Sequence, residues 1–179
     1  MMRVIAGEFR SRCLKTLPGL ATRPTPDRLR ETLFNVLSPR IDNAVFLDAY
    51  AGTGAVGIEA LSRGARKAIF IEKNRAAVDV IRDNLASLGL EGRSEVYTGK
   101  VSMVLERVTA DIVFLDPPYE SRAEYDLALN ALGAAENPLV IAQHASRDGL
   151  KEEYGRLRRY RVLKQGDNSL SFYAGPLSA

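Results

Sequence analysis

Cysteine and histidine are nearly missing from this chain. Only Cys13 and His144 occur in 179 residues. A single thiol excludes an internal disulfide, and without a Cys/His cluster no zinc site, and no metal at all, is expected. Cys13 reads as a small packed residue. Long apolar runs are absent too: nothing approaches the ~18 residues of a membrane span. The N-terminus, Met1-Met2-Arg3-Val4-Ile5-Ala6-Gly7-Glu8, has no apolar run behind its charge, so it does not read as a secretory signal. A cytoplasmic protein is expected. No repeat or low-complexity tract interrupts the sequence. With 46% apolar and 26% charged residues, the chain suits a globule with its own core. We read 1–179 as one domain, with an N-terminal hairpin and helix extension over 1–40 and a body over 41–179.

Charge is uneven. Residues 1–40 hold eight Lys/Arg against three acids, a net +5, whereas the other 139 residues sum to −2. A second basic cluster, Arg156, Arg158, Arg159, Arg161 and Lys164, lies near the C-terminus. Two basic ends around a near-neutral body suit a polyanionic partner, although two solvated surfaces would look alike.

Residues 3–15 read as a short hairpin turning at Gly7-Glu8, with Pro18-Gly19 breaking it. Thr25 is expected to cap a helix with Pro26 at its first position. Leu29, Leu33, Val36 and Leu37 give that helix one apolar face, and Ser38-Pro39 is expected to stop it. Short apolar runs then alternate with helices. Strands are expected at 44–47, 68–71, 94–97, 112–115 and 139–142, with helices around 58–61, 74–88, 101–108 and 123–132. A terminal hairpin carries Tyr160, Val162, Leu170 and Phe172, turning at 166–167 or 168–169. Continuous apolar strands between helices mean a parallel sheet covered on both faces, a doubly wound α/β fold.

Between the first body strand and its helix lies Asp48-Ala49-Tyr50-Ala51-Gly52-Thr53-Gly54-Ala55-Val56-Gly57, a G-x-G-x-x-G loop. Such a loop lets the backbone approach a nucleotide closely, and by itself fits NAD, FAD and S-adenosylmethionine alike. Asp48, four residues before Gly52, separates them. A carboxylate there repels a pyrophosphate and suits a ligand carrying an ammonium or sulfonium. Glu72, at the end of the second body strand, can accept from both ribose hydroxyls of any such nucleoside.

The fourth body strand ends in Asp116-Pro117-Pro118-Tyr119. Ligands of α/β sheets sit beyond the carboxyl ends of the strands. Two prolines remove two donors and stiffen the turn, which leaves carbonyls as acceptors. Asp116 adds a carboxylate acceptor and Tyr119 an aromatic face. This set fits the exocyclic amine of a base. Its lone pair is delocalised into the ring, and acceptors on its hydrogens favour a pyramidal, nucleophilic nitrogen. Attack on a positioned methyl group then needs proximity and electrostatic support. A duplex hides that amine, so the base must be single-stranded or flipped out.

These stretches, with Arg3-Val4-Ile5-Ala6-Gly7, Arg23-Pro24-Thr25-Pro26-Asp27-Arg28-Leu29-Arg30-Glu31-Thr32-Leu33-Phe34 and Ser169-Leu170-Ser171-Phe172-Tyr173, cover nearly the whole chain. The chain resembles the bacterial small-subunit rRNA guanine-N2 methyltransferases, the RsmD family. The resemblance implies a class I methyltransferase fold with a Rossmann-like, mostly parallel seven-stranded sheet and S-adenosyl-L-methionine as donor. It also implies a guanine of 16S rRNA as target, in naked RNA or within the small ribosomal subunit. Carried over, Asp116, Pro117, Pro118 and Tyr119 would be catalytic. Asp48, Ala51, Gly52, Thr53, Gly54, Glu72, Lys73, Gly99 and Lys100 would hold the donor. Arg10, Arg12, Lys15, Arg23, Thr25 and Arg28 would meet RNA.

Two positions depart from the family pattern. Lys100 stands where an acid for the adenine amine is expected, leaving that role to backbone groups or Ser102. Gln143 precedes His144 where Glu is expected, and His144 reads as structural. A monomer without membrane contact is expected. The alternatives are an adenine-N6 methyltransferase acting on DNA or RNA, a non-catalytic RNA-binding relative, and an NAD-dependent oxidoreductase, which Asp48 and Asp116-Pro117-Pro118-Tyr119 disfavour.

Overall fold

The apolar runs all become strands of one sheet. The computed structural model describes residues 1–19, 25–118, 121–135 and 138–176. An N-terminal pair, β1 (Met2–Arg3) and β2 (Cys13–Leu14), precedes helix α1 (Asp27–Ile41). The body then alternates: β3 (Val45–Asp48), α2 (Ala55–Ser62), β4 (Lys67–Glu72), α3 (Arg75–Ser87), β5 (Ser94–Thr98), α4 (Val101–Val104), β6 (Ile112–Leu115), α5 (Arg122–Ala134) and β7 (Leu139–Ala145). Three antiparallel strands follow: β8 (Glu153–Tyr154), β9 (Leu157–Gln165) and β10 (Asn168–Ala174).

The sheet order is β5-β4-β3-β6-β7-β10-β9-β8, with β5 through β7 parallel. The sheet has eight strands where seven are expected. The extra strand, β8, is two residues long, and so short a strand has no periodicity to read. On one face α4 and α5 bury Val101, Val104, Tyr125 and Leu129 against Leu47, Val113 and Val140. On the other, α1 buries Leu29, Leu33, Phe34 and Leu37 with Phe46, Phe114, Ile141 and Phe172. Burial on both faces explains why these strands are apolar throughout rather than alternating.

Four local expectations are corrected. Helix α1 begins at Asp27, and Pro26 occupies the cap position with extended dihedrals and no capping side chain, so Thr25 is not the cap. The helix also continues through Pro39 to Ile41. Proline gives up one backbone bond there, but Leu37 and Ile41 are buried in the sheet-side cluster and hold the last turn down. The expected helix over 101–108 splits into α4 and a 3-10 turn at Leu105–Arg107. Cys13 is exposed, because its partner in the short strand, Leu14, takes the inward place. The terminal hairpin turns at 166–167, where Gly166 adopts φ 61°.

The N-terminal pairing covers only Met2↔Leu14 and Arg3↔Cys13. Val4 continues the hairpin through backbone bonds with Arg12 and Ser11 at 3.0 and 2.9 Å, and residues 5, 6 and 8 turn to α2 instead. Ile5 and Ala6 donate their N–H groups to the Glu59 carboxylate at 2.9 and 3.0 Å. The Glu8 N–H reaches the Ser62 carbonyl at 2.8 Å. A Cβ on Gly7 would lie 1.9 Å from that carbonyl oxygen, so only glycine fits. The arm thus docks on the C-terminal end of α2, at the amino edge of the parallel sheet.

Candidate active site

The strand order reverses between β3 and β6, and at such a switch point the two carboxyl ends leave a crevice. Asp48 pairs with Phe114 in the register, so Asp116 stands two residues beyond, at the neighbouring strand end. The sheet therefore brings together the two acids singled out from the sequence.

Asp48 is buried, and its Oδ2 accepts from the Gly57 N–H at 2.9 Å, in the first turn of α2. A carboxylate there satisfies one open donor of the helix. Burial nevertheless pushes its pKa from 3.8 up to about 8; the Gly57 bond opposes this, and Asp116 and Glu72 add to it. Among the described residues no cation offsets this acid, and an acid held this way favours a cationic neighbour.

The glycine loop arches over this acid. Gly52 and Gly54 have φ 58° and 85°. A Cβ on Gly52 would meet nothing within 4 Å, so the space above the loop is open. Glu72 holds the loop from the next strand: Oε2 accepts from the Gly52 N–H at 2.8 Å and Oε1 from the Asn74 N–H at 2.9 Å. Each oxygen keeps a further lone pair. Ala51 is buried and its N–H bonds the Ile71 carbonyl at 2.9 Å, whereas Thr53 is half-buried. Lys73 and Lys100 are exposed, and Lys100 provides no side-chain cap for α4. Gly99 has open space beside it and bonds the Glu72 carbonyl at 3.0 Å. The three strand ends thus gather Asp48, the glycine loop, Glu72 and Gly99 along one edge.

Asp116 and Pro118 are half-buried, and Pro117 is buried. Tyr119 and Arg23 lie outside the described residues. Thr25 is half-buried and Arg28 is exposed on α1. Arg10 and Arg12 are not brought to this crevice. The Arg12 guanidinium donates to the Ser87 carbonyl at the far end of α3, at 3.2 Å. Lys15 lies closer: its N–H bonds Asn84 Oδ1 at 2.7 Å, and its ammonium pairs with Asp83 at 3.0 Å.

Three residues at this edge carried no warning in the sequence reading. Tyr50 adopts φ 122°, which is strained for a side chain of its size. Its hydroxyl donates to Glu124 of α5 at 2.9 Å, joining the glycine loop to the helix that follows Asp116-Pro117-Pro118. That contact and burial both push the Tyr50 pKa upward, burial the more. Asn84 is buried and bonds the Thr53 carbonyl at 3.1 Å. Its signal was available: it is a polar residue beside Ile81 and Leu85 on the apolar face of α3.

Beyond β7, Arg122, Tyr125, His144, Ala145, Asp148 and Leu150 line a cavity of about 250 Å³. His144 Nδ1 donates to the Ala145 carbonyl at 2.9 Å, and Nε2 pairs with the Ser171 hydroxyl at 2.8 Å. Both ring nitrogens are engaged within the protein.

A family model described as "Conserved hypothetical protein 95" matches residues 2–174. "Ribosomal RNA small subunit methyltransferase D" of Escherichia coli (strain K12) is 38% identical over 154 residues, covering 83% of this chain and 77% of that one. A solved structure named "Putative methyltransferase yhhF from Escherichia coli" superposes with a TM-score of 0.87 at 32% identity and covers 99% of both chains. An RNA methyltransferase from Salinibacter ruber, solved with S-adenosyl-L-homocysteine, gives a TM-score of 0.64 at 17% identity, over 87% of this chain and 95% of that one, a likeness of fold.

Proposed function

The chain belongs to the ribosomal RNA small subunit methyltransferase D family and is an S-adenosylmethionine-dependent RNA methyltransferase, and from that premise we propose that its target is the exocyclic N2 amine of a guanine in 16S ribosomal RNA. The observation that carries the reading is the pairing of Asp48 and Asp116 on adjacent strand ends at the switch point. The first is a buried acid without a countercharge among the described residues. The second heads a proline-stiffened turn rich in acceptors.

The residues present fit S-adenosylmethionine. Asp48 favours its cationic methionine half, and the open face of Gly52 leaves room for close backbone approach. Ala51 and Thr53 complete that loop. Glu72, with Lys73 behind it, lies where the ribose hydroxyls would be accepted, and Gly99 and Lys100 lie where the adenine would rest. The bound donor supplies an electrophilic methyl group. Asp116 and the Pro117 carbonyl accept the hydrogens of the guanine amine, which frees its lone pair and aligns it. Pro118 keeps that turn rigid, and Tyr119 stacks on the base. No strong general base is required, because the amine loses its proton after it has gained the methyl group. On the RNA side, Arg23, Thr25 and Arg28 are assigned to the target strand, and Arg10, Arg12 and Lys15 to more distant phosphates.

The core clusters draw on residues of both the arm and the body, which supports reading 1–179 as one domain. We also assign the protein to the cytoplasm, as a monomer acting on rRNA or on the assembling small subunit. No described helix is long and apolar enough to cross a membrane.

The test incubates the protein with labelled donor and either ribosomal RNA or small subunits, then identifies the modified nucleoside. N2-methylguanosine is expected. N6-methyladenosine would move the target to adenine, and no labelled nucleoside from either substrate would overturn the assignment.

A further inference from the structure

The C-terminal basic cluster falls, in the fold, along the outer part of the sheet leading to the active-site edge, its side chains flanking β9 from both faces. Strand β9 pairs with β8 through Leu157 and Arg158, and the Arg159 N–H adds a bond to the Glu152 carbonyl at 2.8 Å, so from Tyr160 onward its outer edge is unpaired among the described residues. The strand carries four cations. Arg158 is matched by Glu153 at 3.5 Å and Arg159 by Glu152 at 4.0 Å. Arg161 and Lys164 are exposed and form no ion pair among the described residues.

A bulge shapes this edge. Arg159 faces Tyr173 and Arg161 faces Phe172, so Tyr160 is the extra residue. Bulges re-aim side chains. Here the Tyr160 ring lies 6.2 Å from the Phe172 ring yet stays 54% exposed, which leaves an aromatic surface beside the unpaired Arg161. The strand then rises toward the crevice. Asn168 pairs with Ala145, which puts the β9–β10 turn at the carboxyl edge. Gln165 donates to the Thr32 hydroxyl at 3.3 Å, one helical turn from the exposed Arg28. In the sheet, β9 stands three strand spacings from β6, about 14 Å.

We infer that the outer edge of β9, with Arg28 of α1, is a track for single-stranded RNA, in which Tyr160 stacks on a base and Arg161, Lys164 and Arg28 hold phosphates leading to the target nucleotide. This rests on the reading of the chain as an RNA methyltransferase. Aromatic faces between cations grip a single strand without reading its sequence. The same cations disfavour the other occupant of an open edge, a second copy of this strand, since like charges resist edge-to-edge pairing.

The experiment measures binding of a single-stranded RNA oligonucleotide across a salt series for the wild type, Arg161→Ala/Lys164→Ala, Tyr160→Ala and Arg10→Ala/Arg12→Ala. The Arg161/Lys164 pair should lose about tenfold in affinity at low salt, and its log–log salt slope should shrink by about 1.4, two phosphates' worth. Tyr160→Ala should lose about tenfold with the slope kept. S-adenosylhomocysteine affinity and the melting temperature should stay at wild-type values for both. Wild-type RNA affinity and slope in Arg161→Ala/Lys164→Ala, or a larger loss in Arg10→Ala/Arg12→Ala, would overturn the track. Methyl transfer by the same wild-type preparation reports on the proposed reaction separately: binding through these residues without methylation overturns the reaction and leaves the track standing.

Discussion

The two ends of helix α2 each meet a buried carboxylate, and they treat it oppositely. At the C-terminal end, Glu59 is fully buried and accepts from Ile5 N–H, Ala6 N–H and Arg63 Nε, the last at 2.8 Å. At the N-terminal end, Asp48 is as deeply placed, yet among the described residues its donor is the Gly57 N–H and its charged neighbours are acids. The difference separates structure from function along eight residues of helix. Glu59 is satisfied from within the chain and fastens the arm to the body. Asp48 meets no countercharge among the described residues, and we assign it to the cationic donor.

The comparison can be pressed by mutation. The largest effect is expected just across the crevice. Asp116→Ala should lower turnover by roughly 10²–10³-fold, the usual cost of one lost stabilising group, while S-adenosylhomocysteine affinity changes less than threefold. Single-turnover kinetics beside calorimetry would show it, and near-normal turnover would mean that the amine is held elsewhere. Next, Glu59→Gln should remove about 3 kcal/mol of stability, as for a broken buried pair. A lower urea midpoint with unchanged donor affinity is the expected pattern. Asp48→Asn should give the mirror image. The amide oxygen can still accept from Gly57, so the fold should persist, but donor affinity should fall about tenfold or more. If Asp48→Asn unfolds the protein and Glu59→Gln impairs donor binding, the two ends of α2 have been assigned the wrong way round.

What the sequence disclosed follows the same division. Parallel strands were legible because burial on both faces writes a continuous apolar run. Asp48, Gly52, Gly54 and Asp116 were legible because strand ends and loop glycines carry their chemistry locally. The grip of Glu59 on residues 5 and 6 was not, since its partners lie more than 50 positions away and leave no local pattern. Helix α1 misled at both ends: proline was read by its local preference, while tertiary burial of Ile41 decided the outcome. Tyr50 could not have been found by spacing, because its strain and its bond to Glu124 exist only in the folded loop. The basic C-terminal cluster was visible as charge, but only the bulge at Tyr160 shows how it is presented.

Asp48 also ties stability to pH. Its folded pKa, about 8, lies above its ordinary value of 3.8, so the folded chain keeps a proton that the unfolded chain releases. This contribution is fully present below about pH 4 and is lost as pH rises toward 8. A cationic ligand reverses the preference, because it favours the charged acid and expels the proton. The most direct measurement is therefore titration calorimetry of S-adenosylmethionine into wild type and Asp48→Asn, from pH 6 to 9 in buffers of differing ionisation enthalpy. Relative to Asp48→Asn, the wild type should release a proton on binding below pH 8, and its affinity should tighten as pH rises and level off above 8. Equal proton release and parallel pH dependence in the two proteins would contradict the account.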